Sequence, residues 1–212
     1  MADVVVDVIQ PATSIDLVTL AELKTMLNIT DTTEDAQLQM LITNYSDVIA
    51  TICNRVFAKE KVTETWRGDL MPYDAPRVFL THYPVKKTDV ESVFVNGTTI
   101  VAPDYHLEEK SGKINLLWSI GGEPITVTYT GGYNLPTEAP PALKQAMQLF
   151  VQADRAKASQ EVMSGIRMIA HRESRVMFHP PTKTESAGAS TGLSATLNAI
   201  HALLYHYMRI NV

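Results

Sequence analysis

TTEDAQLQMLITNYSDVIATICNRVFAKEKVTETW, residues 32–66, changes its repeat partway along. In its first part Leu38, Leu41, Ile42, Tyr45, Val48, Ile49, Ile52, Cys53 and Val56 recur at spacings of three and four, which lines up one face of an α-helix. From Val62 that spacing stops. The segments VTETW, RVFL, VESVFV and ITVTYT are short, β-branched and separated by Gly, Pro and Asn, so they read as strands. A long amphipathic helix that hands over to a block of strands makes the chain α+β.

Upstream, Thr19-Leu20-Ala21-Glu22 has the form of a capping box: the Thr hydroxyl accepts from the third helical amide while the Glu reaches back to the cap amide. It predicts a short helix from Leu20 to about Leu27. Thr32-Thr33-Glu34-Asp35 offers an N-cap for the long helix, with acids in the first turn where the helix dipole favours them, and the helical region is expected over 20–57. Downstream, Asn96-Gly97 sits between Val93-Phe94-Val95 and Thr98-Thr99-Ile100-Val101. It predicts a two-residue hairpin, because a type I′ turn needs positive φ at both central positions. Gly112, between Tyr105-His106-Leu107 and Ile114-Asn115-Leu116-Leu117-Trp118, suggests a second hairpin. The β region is expected over 62–130 as about four to six antiparallel strands.

Pro140 and Pro141 can open a third helix, expected over 142–158, with Leu143, Ala146, Met147, Phe150 and Val151 on its buried face. Residues 162–181 fit either a basic amphipathic segment or a strand and loop, and Lys183 to Gly192 is a small, polar connector. The expected organisation is a core over 1–161, an extended or linker segment over 162–192, and a C-terminal helix over 193–212. In fold class this is α+β: a small helical bundle with an antiparallel β region inserted between the second and third helices and a C-terminal helical extension.

The composition, 45% hydrophobic and 19% charged over 212 residues, is sufficient for a buried core. Charge is uneven along the chain. Residues 1–60 carry 3 Lys/Arg and 9 Asp/Glu, 61–141 carry 7 and 10, and 142–212 carry 8 and 4. An acidic beginning and a basic end suit head-to-tail or partner contacts, and no dense basic run interleaved with aromatics supports nucleic-acid binding. The single cysteine, Cys53, has no intramolecular partner, so a reducing compartment is expected. No basic stretch precedes the short apolar run of MADVVVDVIQPATS, and no run of about eighteen apolar residues follows, so neither a secretion signal nor a membrane span is expected.

Catalytic chemistry finds little to stand on. His201 and His206 are five apart, which turns them to different faces of a helix, and there is no HExxH or Cys pair to hold a metal. No G-x-S-x-G elbow is present, and Cys53 lies in an apolar helical pattern. Gly121-Gly122 and Gly131-Gly132 are not followed by Lys-Ser/Thr and read as turns; Arg67-Gly68-Asp69 reads as a turn as well. Glu108 and Glu109 are adjacent and would face opposite sides of a strand. No enzyme activity, cofactor or metal is expected; an enzyme built around His106 or His171 is the least favoured reading.

The end of the chain carries a different pattern. Leu193, Leu197, Ile200, Leu204 and Tyr207 fall at spacings of four, three, four and three, a heptad-like seam that Leu203, Tyr205 and Met208 widen. Such a helix is marginal alone and needs a surface to lie on, either its own core or another molecule.

Two stretches resemble a known family. LVTLAELKTMLNITDTTEDAQLQMLITNYSDVIATICNRVF, residues 17–57, is similar to the opening of the head-tail connector, or ring adaptor, proteins of tailed bacteriophages: a short capped helix, an acidic loop and a long helix. VTYTGGYNLPTEAPPALKQAMQLFVQADRAK, residues 127–157, resembles the closing strand, Gly-Tyr, Pro-containing loop and helix of the same family. The resemblance implies a structural virion protein at the head-tail interface, made in the host cytoplasm. It implies a ring, of 12 copies in such proteins, beneath the portal, extending the DNA channel toward a tail or stopper protein, with DNA passing through without sequence-specific binding. It also implies that the C-terminal segment reaches the portal, here through Leu193, Leu197, Ile200, Leu203, Leu204, Tyr205, Tyr207 and Arg209. The β region from Val62 to Thr130 departs from the smallest, nearly all-helical members. The alternative is an intracellular module whose C-terminal helix docks in a partner's groove.

Overall fold

The computed structural model describes residues 4–67, 76–101, 103–117, 121–164, 168–171, 174–177, 196 and 198–209. Helix α1 spans Leu20–Leu27 and carries the expected capping box: the Thr19 N–H donates to Glu22 Oε2 at 2.8 Å and the Glu22 N–H donates to Thr19 Oγ1 at 3.1 Å. Helix α2 spans Asp35–Cys53, and both of its ends differ from expectation. Glu34 is its N-cap and makes no side-chain cap bond. Thr33 instead turns back on Asp31, donating from its N–H at 3.1 Å and its hydroxyl at 2.6 Å.

At the other end Asn54 takes a left-handed φ of 50°, and its N–H returns to the carbonyls of Ala50 and Thr51. Asn tolerates that conformation, so α2 stops at Cys53 and not at residue 57. Val56 therefore leaves the helix and its N–H donates to the Thr81 carbonyl at 3.2 Å. The buried face of α2 is Leu38, Ile42, Ser46, Ile49 and Cys53, while Val48 and Ile52 are partly exposed.

Helix α3, Pro141–Ser164, begins where the paired prolines place it and runs past its expected end. Leu143, Ala146, Met147 and Val151 are buried, and the Phe150 ring stacks on Tyr45 with centroids 5.1 Å apart. Ion pairs tie the rim of this bundle: Lys24 to Asp35 at 2.6 Å, Lys144 to Glu22 at 2.6 Å, and Arg155 to Glu34.

The β half has strands β1 (Val4–Gln10), β2 (Glu60–Trp66), β3 (Arg77–Phe79), β4 (Val90–Val95), β5 (Thr98–Ile100), β6 (Tyr105–Glu108), β7 (Lys113–Leu116) and β8 (Ile125–Gly131). They form a five-stranded sheet in the order β1-β2-β8-β4-β5 and a three-stranded sheet in the order β3-β7-β6, with every pairing antiparallel. Val62, Trp66, Val93 and Val127 from the larger sheet share one buried cluster with Val78, Leu107, Ile114 and Leu116 from the smaller.

The β4–β5 turn is the expected one, with Asn96 at φ 45° and Gly97 at φ 75°. The β6–β7 hairpin at Gly112 also forms; its Trp118 lies outside the described residues. Two features exceed the expectation. There are more strands, and β1 comes from before α1, so the sheet is not solely an insertion between helices.

Beyond α3, strands β9 (Met168–His171) and β10 (Ser174–Met177) pair as a separate two-stranded sheet, so strands occupy this part of the segment left open between two readings. The connector Lys183 to Gly192 and the Gly68-Asp69 turn lie outside the described residues. No described helix is long and apolar enough to cross a membrane.

Candidate assembly site at the C-terminal segment

Residues 198–204 are helical and run into a 3-10 turn, Tyr205–Tyr207. Ile200 and Leu204, four apart and therefore on one face, are 3% and 0% exposed and join the helical core with Leu38, Ile49 and Met147. Leu203, Tyr207 and Met208 pack partly buried against the same cluster. The Tyr207 ring meets Phe57 edge-on with centroids 6.3 Å apart, and its carbonyl accepts from the Tyr83 hydroxyl at 3.5 Å.

Arg209 then spans both halves of the molecule. Its N–H donates to the Cys53 carbonyl at 2.8 Å, satisfying an orphan carbonyl at the end of α2, and its Nη2 donates to the Phe79 carbonyl of β3 at 2.5 Å. Beside it the buried Arg55 guanidinium lies 3.2 Å from the Tyr83 ring centroid and 4.6 Å from that of Phe57, so its charge is met by two aromatic faces. Burial pulls the Arg55 guanidinium below its usual range, and burial pushes the Cys53 thiol up to about 11.

Of the residues expected to dock on a partner, the structure thus places Ile200 and Leu204 inside the chain's own core. Leu203, Tyr207 and Arg209 are half-buried on that core, and Tyr205 stands 66% exposed. Leu193 and Leu197 lie outside the described residues. Of the two surfaces open to the seam, its described residues lie against the chain's own helical core. His201 and His206 flank the exposed Tyr205 ring at centroid distances of 6.5 and 5.8 Å. Among the described residues no group of three or more His, Cys, Asp or Glu is placed to hold a metal ion.

A second cluster, not anticipated from the sequence, lies inside the β half. Glu64 has no exposed surface, and its Oε1 accepts from the Thr81 N–H at 3.0 Å and from the hydroxyls of Thr81 and Tyr129. His82 is 1% exposed; its N–H donates to Tyr129 Oη at 3.1 Å, its Nδ1 lies 2.8 Å from Thr81 Oγ1, and its Nε2 lies 3.0 Å from Glu60 Oε2. Burial, reinforced by Glu64, drives the Tyr129 phenol well above its usual range. Glu64, Thr81, His82 and Tyr129 are all buried and bonded to one another, and the cluster fixes how β2, β8 and the chain after β3 meet. Gly131 completes the fit, since a Cβ there would lie 2.2 Å from the His82 carbonyl oxygen.

The signal was present in VTETW, where period two puts Glu64 on the same face as Val62 and Trp66. His106, weighed as a catalytic residue, is exposed on β6; nothing is described of the His171 side chain.

The profile of the head completion protein family matches residues 16–161, a span that contains α1, α2, strands β2 to β8 and all but the last turn of α3. Among solved structures, a chain of the neck of an empty gene transfer agent particle, computed with sixfold symmetry, superposes with a TM-score of 0.52 at 15% identity, covering 98% of this chain and 97% of that one. A chain from the virion of a native gene transfer agent particle gives a TM-score of 0.52 at 14% identity, covering 98% and 96%. At those identities the likeness is one of fold. No curated protein matches the sequence.

Proposed function

The chain belongs to the head completion protein family, and from that premise we propose that it is a structural virion protein that joins a DNA-filled head to its tail by forming a ring beneath the portal. The observation that carries this reading is the family match across the folded core, residues 16–161. The fold likeness to neck and virion chains of gene transfer agent particles supports it. So does the distribution of charge, acidic over residues 1–60 and basic over 142–212, which supplies two different patches of the kind a head-to-tail ring contact needs.

In this reading the ring holds 12 copies, extends the DNA channel toward a tail or stopper protein, and does no chemistry. The segment 193–212 faces the portal. Because Ile200 and Leu204 complete the chain's own core, portal contact falls to the outward side of the segment, with Tyr205 at its centre. Copies held in a ring turn one weak docking into a strong collective one through effective concentration.

Solution mass and electron microscopy of the full chain, alone and mixed with its portal, test the proposal. A ring seated on the portal is the expected result, with Tyr205→Ala weakening attachment and leaving the fold unchanged. A chain that stays monomeric beside the portal and binds an unrelated protein through its C-terminal segment overturns it.

A further inference from the structure

Two parts of this chain each lack what the other offers. Strand β1 is the outer strand of the five-stranded sheet, and its far edge meets no strand among the described residues. Over its seven residues the only charge is Asp7, and Val5, Val8 and Ile9 are 58%, 50% and 54% exposed. Edge strands are ordinarily guarded by lysine, proline or a covering loop, because free N–H and C=O groups beside apolar side chains template pairing with another chain. Within β1 there is no Lys and no Pro, and although its pairing with β2 shifts register between Val8 and Gln10, Val4 to Val8 present a regular edge.

The β9–β10 hairpin has the opposite deficit. It is a sheet of two strands only, and among the described residues its substantial contacts are within itself. A two-stranded ribbon is marginal in water and gains stability when a third strand joins it.

We propose that the β9–β10 hairpin of one copy adds to the free edge of β1 in the next copy, extending that copy's five-stranded sheet. The proposal rests on the ring reading, for which it names the subunit contact. Backbone hydrogen bonding supplies the affinity, as in other strand-addition contacts. Charge favours the pairing: residues 168–177 carry Arg172 and Arg175 against Glu173, while the first ten residues carry Asp3 and Asp7 and no base. Edge and hairpin are different surfaces of one chain, so the contact is head-to-tail and propagates from copy to copy until a ring closes.

The test uses the full chain with cysteine at Val5 combined in turn with cysteine at Met168, Ile169, Ala170, His171, Ser174, Arg175, Val176 or Met177. Cys53 is buried with its thiol held protonated and does not compete. Mild oxidation is expected to give a ladder of covalent multimers on a non-reducing gel for the pairs in register, and no ladder for either single cysteine. Independently, V5K with I9K, or replacement of 168–177 by a Gly/Ser linker, is expected to weaken association in native mass measurements at least tenfold without shifting the melting temperature.

Rings that persist through both the lysine and the linker variants overturn this proposal and leave the ring reading standing. A cross-link confined to the monomer also overturns it, since the hairpin then serves its own sheet. A wild-type chain that is monomeric with and without its portal overturns the ring reading and this contact together.

Discussion

In the helical half, Leu38, Ile42, Ile49 and Met147 close on one another and the ion pairs stay at the rim, whereas in the β half a carboxylate sits with no exposed surface between Val62 and Trp66. The first core depends on volume, so losses there scale with the cavity opened. The second depends on a few polar atoms meeting at hydrogen-bond distance, and an unmet partner costs more than the bond itself contributes. Two halves of one chain should therefore answer mutation differently.

The largest effect is expected at Glu64. Glu64→Ala strands the Tyr129 hydroxyl and the Thr81 N–H and hydroxyl in the core and should cost about 3–5 kcal/mol in urea unfolding, with Glu64→Gln recovering part because an amide oxygen still accepts. A cost below about 1 kcal/mol would erase the contrast between the halves. Next is the helical core, where Leu204→Ala should cost about 3 kcal/mol while Tyr205→Ala, exposed one residue on, changes stability by less than about 0.5 kcal/mol. That pair asks whether the C-terminal segment is structural or merely resting; equal small effects would mean it rests.

Smaller still is the capping box, since Thr19→Ala removes one cap bond and should cost about 1 kcal/mol by thermal unfolding.

The smallest effect is a pH dependence. Hydrogen bonding to the Lys144 ammonium, then to the Thr19 N–H, holds the Glu22 carboxyl below its ordinary value of 4.5. A lowered folded-state value stabilises above the unfolded one and is lost as pH falls through the folded one. Glu22→Gln should therefore remove a small part of the acid-side loss of stability and leave the alkaline side unchanged, read from melting temperatures across that range. The side chain is 39% exposed, so solvent screening keeps the effect slight.

How far the sequence revealed these halves differs in the same way. Helical periodicity is local, and Leu20 to Leu27 and the buried face of α3 were legible residue by residue. So was the hairpin at Asn96-Gly97, because positive φ at both positions is a property of those two residues. The end of α2 was not, since the apolar run continues to Val56 while Asn54 decides the stop. Strand β1 was missed because an edge strand buries little and shows no clean alternation: Val8, Ile9 and Gln10 are all exposed.

The C-terminal seam was legible as apolar, but a heptad spacing is equally satisfied by a groove in the same molecule or in another. Only the burial of Ile200 and Leu204 distinguishes them, and the comparison with the head completion family bears on the chain's role without touching that segment.

The bonds made by Arg209 have a geometric consequence. Its amide holds the last turn of α2 and its guanidinium holds β3, so any sliding of the smaller sheet against the helical bundle must break one of the two bonds.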